Sequence, residues 1–474
     1  MSGSWTALAP DWPTYLQSDP EFPAKNVLSS CRNQRHIMGH VNVRMDDKGV
    51  HALFFPFVSE ARTMILNTSK PNGYAGTPCG VRAHEPEEPE ESLARLDISK
   101  LTIRLTDAPK PLPDLKTLVF GVSFSDHMAT TSFHPATGWS TPEIKPYAPL
   151  TLDPASSCFQ YGCNVFEGMK AYLGPDSKAR LFRPELNMRR LERSMERLAL
   201  PPINGDAVLE LIKRFVQIEK RWIPKLPGYS FYLRPTVIGT RAELGPAASD
   251  QAVLYIIACP SGPYWSHPAS LLAVNDTVRA WPGGTGGHKV GGNYSPGFLP
   301  QREASAQGYN QVLWLFGEEQ RVMEAGAMNV FVVVRRADGD GLDVLTPPLD
   351  GMILPGVTRA SCLELAADPT FHAHISIDGS IEGTTLYPGE RVFTLSDLER
   401  WSTSGDLVEF LCVGTAAVVA AVHDIGFDGR VVVRVPTYPD DPNGLGPVGR
   451  ALREQILAVQ EGRKEYKGWG VVCE

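Results

Sequence analysis

The chain has 474 residues, 43% of them hydrophobic and 21% charged, with a formal net charge of −8. That length allows two or three domains around a large core, and the composition is that of an ordinary globular protein. The acidic balance argues against non-specific nucleic-acid binding, and no stretch reaches the ~18 uninterrupted apolar residues of a membrane helix.

The first residues lack a basic start and an apolar run, and Asp11, Asp19 and Glu21 precede the first basic residue, Lys25. Neither a secretory signal nor an Arg-rich transit peptide is expected. A cytoplasmic location follows as the expectation, with mitochondria as the alternative. Residues 85–91, "EPEEPEE", hold five glutamates and two prolines and read as an extended acidic connector. It closes an N-terminal extension, residues 1–95, in which "VHALFFPFV" looks foldable, "NTSKPNGYAGTPCG" looks like loop, and no chemical motif is present.

From Leu96 the texture is denser. "TLVFGVSFSDHMATTSFH" and "GWSTPEIKPY" read as strands and turns. "NMRRLERSMERLAL" sets Met188, Leu191, Met195 and Leu198 on one helical stripe behind Pro184. "GDAVLELIKRFVQIEKRWI" is a second amphipathic helix. "YSFYLRPTVIG" and "AVLYIIACP" are β-branched and aromatic runs typical of strands. "SGPYWSHPAS" then interrupts with Pro, Gly and Ser, so residues 263–278 are expected to be an interdomain loop. Beyond it, "QREASAQG" suggests a helix ending at Gly308. "QVLWLFG", "NVFVVVRR" and "VVVRVP" read as strands, and "PGVTRASCLELAAD" as a loop entering a helix. The expected fold is mixed α+β in two lobes, 96–262 and 279–474.

Eight cysteines at 31, 79, 158, 163, 259, 362, 412 and 473 form no CxxC pair. Free thiols in a reducing compartment are expected, and no metal site. His372 and His374 fall in "DPTFHAHISIDG", which reads as a strand.

Six of the ten residues Gly283–Gly292 are glycine, and Lys289 sits among them. Three readings compete: a phosphate loop, a flexible linker, or a lysine that does chemistry. A Walker loop requires Gly before the lysine and Ser or Thr after it, but here His288 and Val290 flank it. A dinucleotide GxGxxG fails because Lys289 occupies its third glycine position. Trp281, Val290, Tyr294 and Phe298 make the stretch too apolar for a linker. A Schiff-base lysine needs partial desolvation and room for a planar cofactor, which neighbouring glycines supply.

The decision comes from motifs spread along the chain: "YGCNVFEGMKAY" (161–172), "RPELNMRRLERS" (183–194), "YLRPTVIGT" (232–240), "VRAWPGGTGGHKVGGNYSP" (278–296), "QVLWLFG" (311–317), "EAGAMNVF" (324–331), "LPGVTRAS" (354–361) and "VGTAA" (413–417). In this order they closely resemble the branched-chain amino-acid aminotransferases, which are class IV, fold-type-IV enzymes using pyridoxal 5′-phosphate. The likeness runs from about Leu96 to the C-terminus.

The resemblance implies a two-domain enzyme with an extra N-terminal segment. It implies a homodimer moving the amino group of leucine, isoleucine or valine to 2-oxoglutarate, ping-pong through pyridoxamine phosphate. Lys289 is implied as the cofactor-bearing and proton-moving residue, Glu324 as the acid against the pyridine nitrogen, and Tyr294 as the partner of the ring oxygen. Arg190 and Arg279 match the two arginines near the phosphate, with Val357, Thr358, Gly414 and Thr415 completing its cradle. Tyr161, Phe166, Tyr232, Arg234, Ala327 and Ala416 fall on the substrate side. There an apolar pocket would take an aliphatic side chain, and Arg234 a second carboxylate. Ala327 stands where many eukaryotic relatives carry threonine, and the redox CxxC of mammalian relatives is absent after "VGTAA". Rival activities on the same fold are a D-amino-acid aminotransferase, an aminodeoxychorismate lyase, a specialised enzyme for an unusual aliphatic amino acid, or a catalytically dead binding protein.

Overall fold

The computed structural model describes residues 95–474, apart from 265–266, 373–374 and 376–382, together with one N-terminal hairpin. In that hairpin Val43–Asp46 pairs antiparallel with Gly49–Ala52. The rest of the extension, including residues 47–48, most of "VHALFFPFV" and the acidic connector, lies outside the described residues.

The described residues from Arg95 onward form one compact unit built on two large sheets. In the first, Ser230–Gly239 and Ala252–Ser261 pair antiparallel over ten residues, Ser230 opposite Ser261 and Gly239 opposite Ala252. Met169–Leu173 and Asn164–Phe166 join Ser230–Gly239 on its other side, and His127–His134 joins Ala252–Ser261. Helices Pro184–Arg197 and Gly205–Ile218 cover this sheet. The expected stripe is there: Met188, Leu191 and Met195 are 3% exposed or less, and Leu198 packs against the cluster partly buried. Asn204 starts the second helix by accepting from the amides of Asp206 (2.9 Å) and Ala207 (3.1 Å).

The second sheet runs Arg321–Ala325, Gln311–Phe316, Ala269–Val274, Val418–Phe427, Leu407–Gly414, Asn329–Arg335, Leu342–Thr346, Leu386–Glu390. Helices Val357–Ala366 and Pro447–Gln460 pack their apolar faces on it.

Three expectations are corrected. The 263–278 segment is not all loop: Ala269–Val274 is a central strand, parallel to both Gln311–Phe316 and Val418–Phe427. A strand buried on both faces has no period-2 alternation, and the Pro-rich run before it hid the signal. The last strand, Gly470–Val472, leaves the C-terminal lobe and pairs with Ala179–Phe182 at the edge of the first sheet. Finally, Pro369–His372 is a helical turn rather than a strand, with His372 Nε2 2.8 Å from the Ala366 carbonyl. Proline at the first position suits a helix start. Helix Phe298–Ala306 ends where expected, with Gly308 left-handed at φ 88°.

Candidate active site

The glycine-rich loop is packed, and close approach explains its composition. A Cβ on Gly286 would stand 2.4 Å from the Met352 carbonyl oxygen, and one on Gly291 2.2 Å from Asn164 Oδ1. Lys289 is clamped by its backbone. Its amide donates to Ser194 Oγ (2.9 Å) on helix Pro184–Arg197, and its carbonyl accepts from the Phe166 amide (3.1 Å). Val290 bridges Val165. The lysine therefore stands at the seam between the two sheets.

Its Nζ donates to Tyr294 Oη at 3.0 Å and lies 4.9 Å from the centre of the Phe166 ring. Lys289 has no carboxylate partner among the described residues. Both side chains line a cavity shared by the two lobes. Phe166, Gly168, Tyr232 and Arg234 come from the first sheet, while Ala327, Met328, Asn329 and Val413–Ala416 come from the second. Arg190, Val357 and Thr358 close one end, and Phe120 and Tyr264, 43% and 44% exposed, stand at the mouth.

Glu324 is the last residue but one of strand Arg321–Ala325 and is 1% exposed. Its Oε1 accepts from Asn329 Nδ2 (2.7 Å) and the Leu354 amide (3.2 Å), both residues of the cavity wall. Its Oε2 forms an ion pair with Arg279 Nε but has no hydrogen-bond partner. Burial raises the Glu324 carboxyl above its ordinary range, and Arg279 pulls against that. A buried carboxylate behind a cavity, held by Asn329, the Leu354 amide and the Arg279 guanidinium, is suited to a cationic N–H.

The opposite end offers anion sites. Helix Val357–Ala366 begins at Gly356 without a side-chain cap, and its first amides have no acceptor among the described residues. A Cβ on Gly356 would meet Asn329 Oδ1 at 2.1 Å, which holds the backbone close to the wall. The Thr415 and Ala416 amides have no acceptor among the described residues. Thr415 Oγ1 donates to the Gly168 carbonyl at 3.3 Å.

Of the residues singled out from sequence, Lys289, Arg190, Tyr294, Val357, Thr358, Gly414, Thr415, Phe166, Tyr232, Arg234, Ala327 and Ala416 all line this cavity. Glu324 stands just behind the wall. Arg279 does not join the phosphate group of residues: its guanidinium lies on Glu324 and donates to the Met352 carbonyl at 2.8 Å. The packing of Gly286 on Met352 draws it there. Tyr161 is also elsewhere, 46% exposed, its hydroxyl on the Leu244 carbonyl. It ends the short helix Ser157–Tyr161, and left-handed Gly162 turns the chain away.

Sequence reasoning missed Glu167. It is fully buried and takes Arg190 Nε (2.8 Å) and Nη2 (2.7 Å) in a two-point pair, with Asn187 Nδ2 at 2.8 Å. Arg190 also donates to the Pro355 carbonyl (3.0 Å), tying the start of helix Val357–Ala366 to the first lobe. The available signal was a carboxylate inside the apolar run "VFEGMKAY", which needs a cation to be buried there.

Comparison with known proteins agrees with this geometry. The family described as "Amino-transferase class IV" matches residues 164–423, and the chain belongs to it. Its relatives within that class include branched-chain-amino-acid aminotransferases. The cytosolic one of Saccharomyces cerevisiae is 41% identical over 385 residues, spanning 80% of this chain and 98% of the relative. That of Monosiga brevicollis is 45% identical over 383 residues, 80% and 93%. The mitochondrial one of Rattus norvegicus is 41% identical over 372 residues, 77% and 89%. Among solved structures, the branched-chain aminotransferase of Thermoproteus uzoniensis with norvaline shares the fold, with a TM-score of 0.56 at 23% identity over 73% of this chain and 100% of that one. The PLP-form enzyme of Thermobaculum terrenum does so with a TM-score of 0.54 at 22% identity, over 74% and 98%.

Proposed function

We propose that the protein transfers the amino group of leucine, isoleucine or valine to 2-oxoglutarate, giving the branched 2-oxo acid and glutamate, with pyridoxal 5′-phosphate as resident cofactor in a ping-pong cycle. The observation that carries this reading is the line formed by Lys289 Nζ on Tyr294 Oη, the buried Glu324 carboxylate behind the wall, and the amides at Val357 that have no acceptor among the described residues. These groups fit the aldehyde, the ring nitrogen and the phosphate of that cofactor.

Lys289 would hold the cofactor covalently, Tyr294 its ring oxygen and Glu324 its ring nitrogen. Arg190, Val357, Thr358, Gly414 and Thr415 would hold its phosphate. When bound, pyridoxal phosphate supplies an electron sink for the carbanion at the substrate α-carbon. Lys289 Nζ, oriented by Tyr294, takes the proton from that carbon. Arg279 keeps the Glu324 carboxylate charged in its buried site. Phe166, Tyr232 and Met328 offer an apolar surface to an aliphatic side chain. Arg234 lies over the Phe166 ring at 4.8 Å, donates to Tyr232 Oη, and has a buried Nε without an acceptor. That leaves it donors for the second carboxylate of 2-oxoglutarate.

A homodimer completes the reading. Phe159, Tyr161 and Leu244 are 61%, 46% and 67% exposed, and a second copy would cover them. The test is a donor panel on purified holoenzyme with 2-oxoglutarate as acceptor. Leucine, isoleucine and valine should turn over, and Lys289→Ala should lose both turnover and the visible absorbance of lysine-linked cofactor. Preference for D-amino donors, or retained transamination in Lys289→Ala, would overturn the assignment.

A further inference from the structure

Lys170 lies on strand Met169–Leu173 and is 7% exposed. Among the described residues it has no carboxylate partner. Its Nζ donates 2.7 Å to the Ala416 carbonyl, across the seam between the sheets. An ammonium buried without a counter-charge is costly, and methionine would fill the same space at no such cost. Its partner is a residue of the active-site wall. Ala416 sits in the turn between strands Leu407–Gly414 and Val418–Phe427, beside two amides with no protein acceptor. Thr415 Oγ1 on the Gly168 carbonyl ties the same turn to the first lobe.

We infer that Lys170 is a positioning residue: its ammonium fixes the Ala416 carbonyl and thereby aims the Ala416 amide at the carboxylate of the substrate. The inference rests on the aminotransferase reading above. Arg453, Tyr264 and His267 face Lys170 from the neighbouring helix and loop, and Tyr232 from the adjacent strand. None is an anion at neutral pH. Burial, with help from Arg453, lowers the Lys170 amine to about 8. The tie is therefore charged below that pH and loses its charge above it.

The probe is 4-methylvalerate, a substrate-sized monocarboxylate with no group titrating in the range. Its Kd is measured on wild-type, Lys170→Met and Lys170→Arg holoenzyme from about pH 6.5 to about pH 9.5. In the wild type Kd should rise about tenfold through pH 8, the size of one charge-assisted hydrogen bond. Lys170→Met should bind about tenfold more weakly at every pH and lose the step, while Lys170→Arg keeps tight binding and also loses it. KM for leucine should follow Kd while kcat changes less. Binding within twofold of wild type in Lys170→Met, or an unchanged step, overturns the inference. If Lys170→Met does not fold, the wild-type step and its absence in Lys170→Arg decide. Failure of the aminotransferase reading would show separately, as no leucine-to-2-oxoglutarate turnover by the wild type.

Discussion

Replacing Gly168 with alanine puts a methyl group where the Tyr232 hydroxyl now stands. The added Cβ would lie 2.1 Å from Tyr232 Oη and 3.0 Å from Cζ, and the backbone at 168 is not in the left-handed region. The perturbation is thus a steric one on a single ring. Tyr232 must move, and two contacts go with it: the hydrogen bond from Arg234 Nη2 (3.1 Å) and the edge-to-face packing on Phe120, centroids 4.9 Å apart at 81°. The first contributes about 1 kcal/mol and the second about 0.5–1.5 kcal/mol. If both are lost from substrate recognition, kcat/KM falls about 10- to 70-fold. The assay is steady-state turnover with leucine and 2-oxoglutarate, with thermal unfolding recorded to separate folding from function. A double-mutant cycle sharpens it. Tyr232→Phe removes the oxygen that the methyl would strike, so Gly168→Ala should cost much less on that background. A single variant within threefold of wild type, or strictly additive losses in the cycle, would refute the reasoning.

Glu324→Gln keeps a side chain of the same shape but strands the Arg279 guanidinium without its anion. Turnover should drop by orders of magnitude, and stability by roughly 3–5 kcal/mol, read by activity assay and denaturant titration. Glu409 sits beneath the start of helix Pro447–Gln460 and accepts from the Val448 (2.8 Å) and Gly449 (3.0 Å) amides. Burial pushes its carboxyl up from an ordinary 4.5 to about 7, against those amides. A raised folded-state pKa gives a contribution that is present below pH 4.5 and lost as pH rises through 7. Wild-type Tm should carry that decline, and Glu409→Gln, though less stable overall, should show a flatter slope by calorimetry across the same window.

The amino-acid sequence by itself determined the class of chemistry. Lys289 among glycines left three readings open, and the ordered motifs whose resemblance to a family implies the roles of Lys289, Tyr294 and Glu324 decided between them, because short motifs survive without a structure. The amphipathic stripe of Met188, Leu191 and Met195 was legible for the same reason: a 3.6-residue period is written along the chain. Only the tertiary structure decided what depends on distant segments. Ala269–Val274 is a central strand because of neighbours some forty and one hundred and fifty residues away, and Gly470–Val472 returns to a sheet begun near residue 102. Arg279 stands on Glu324 rather than with the anion-binding amides, Tyr161 faces away from the cavity, and Glu167 pairs with Arg190. Which charge meets which is set by how the two sheets close on one another, and nothing in a linear pattern carries that angle.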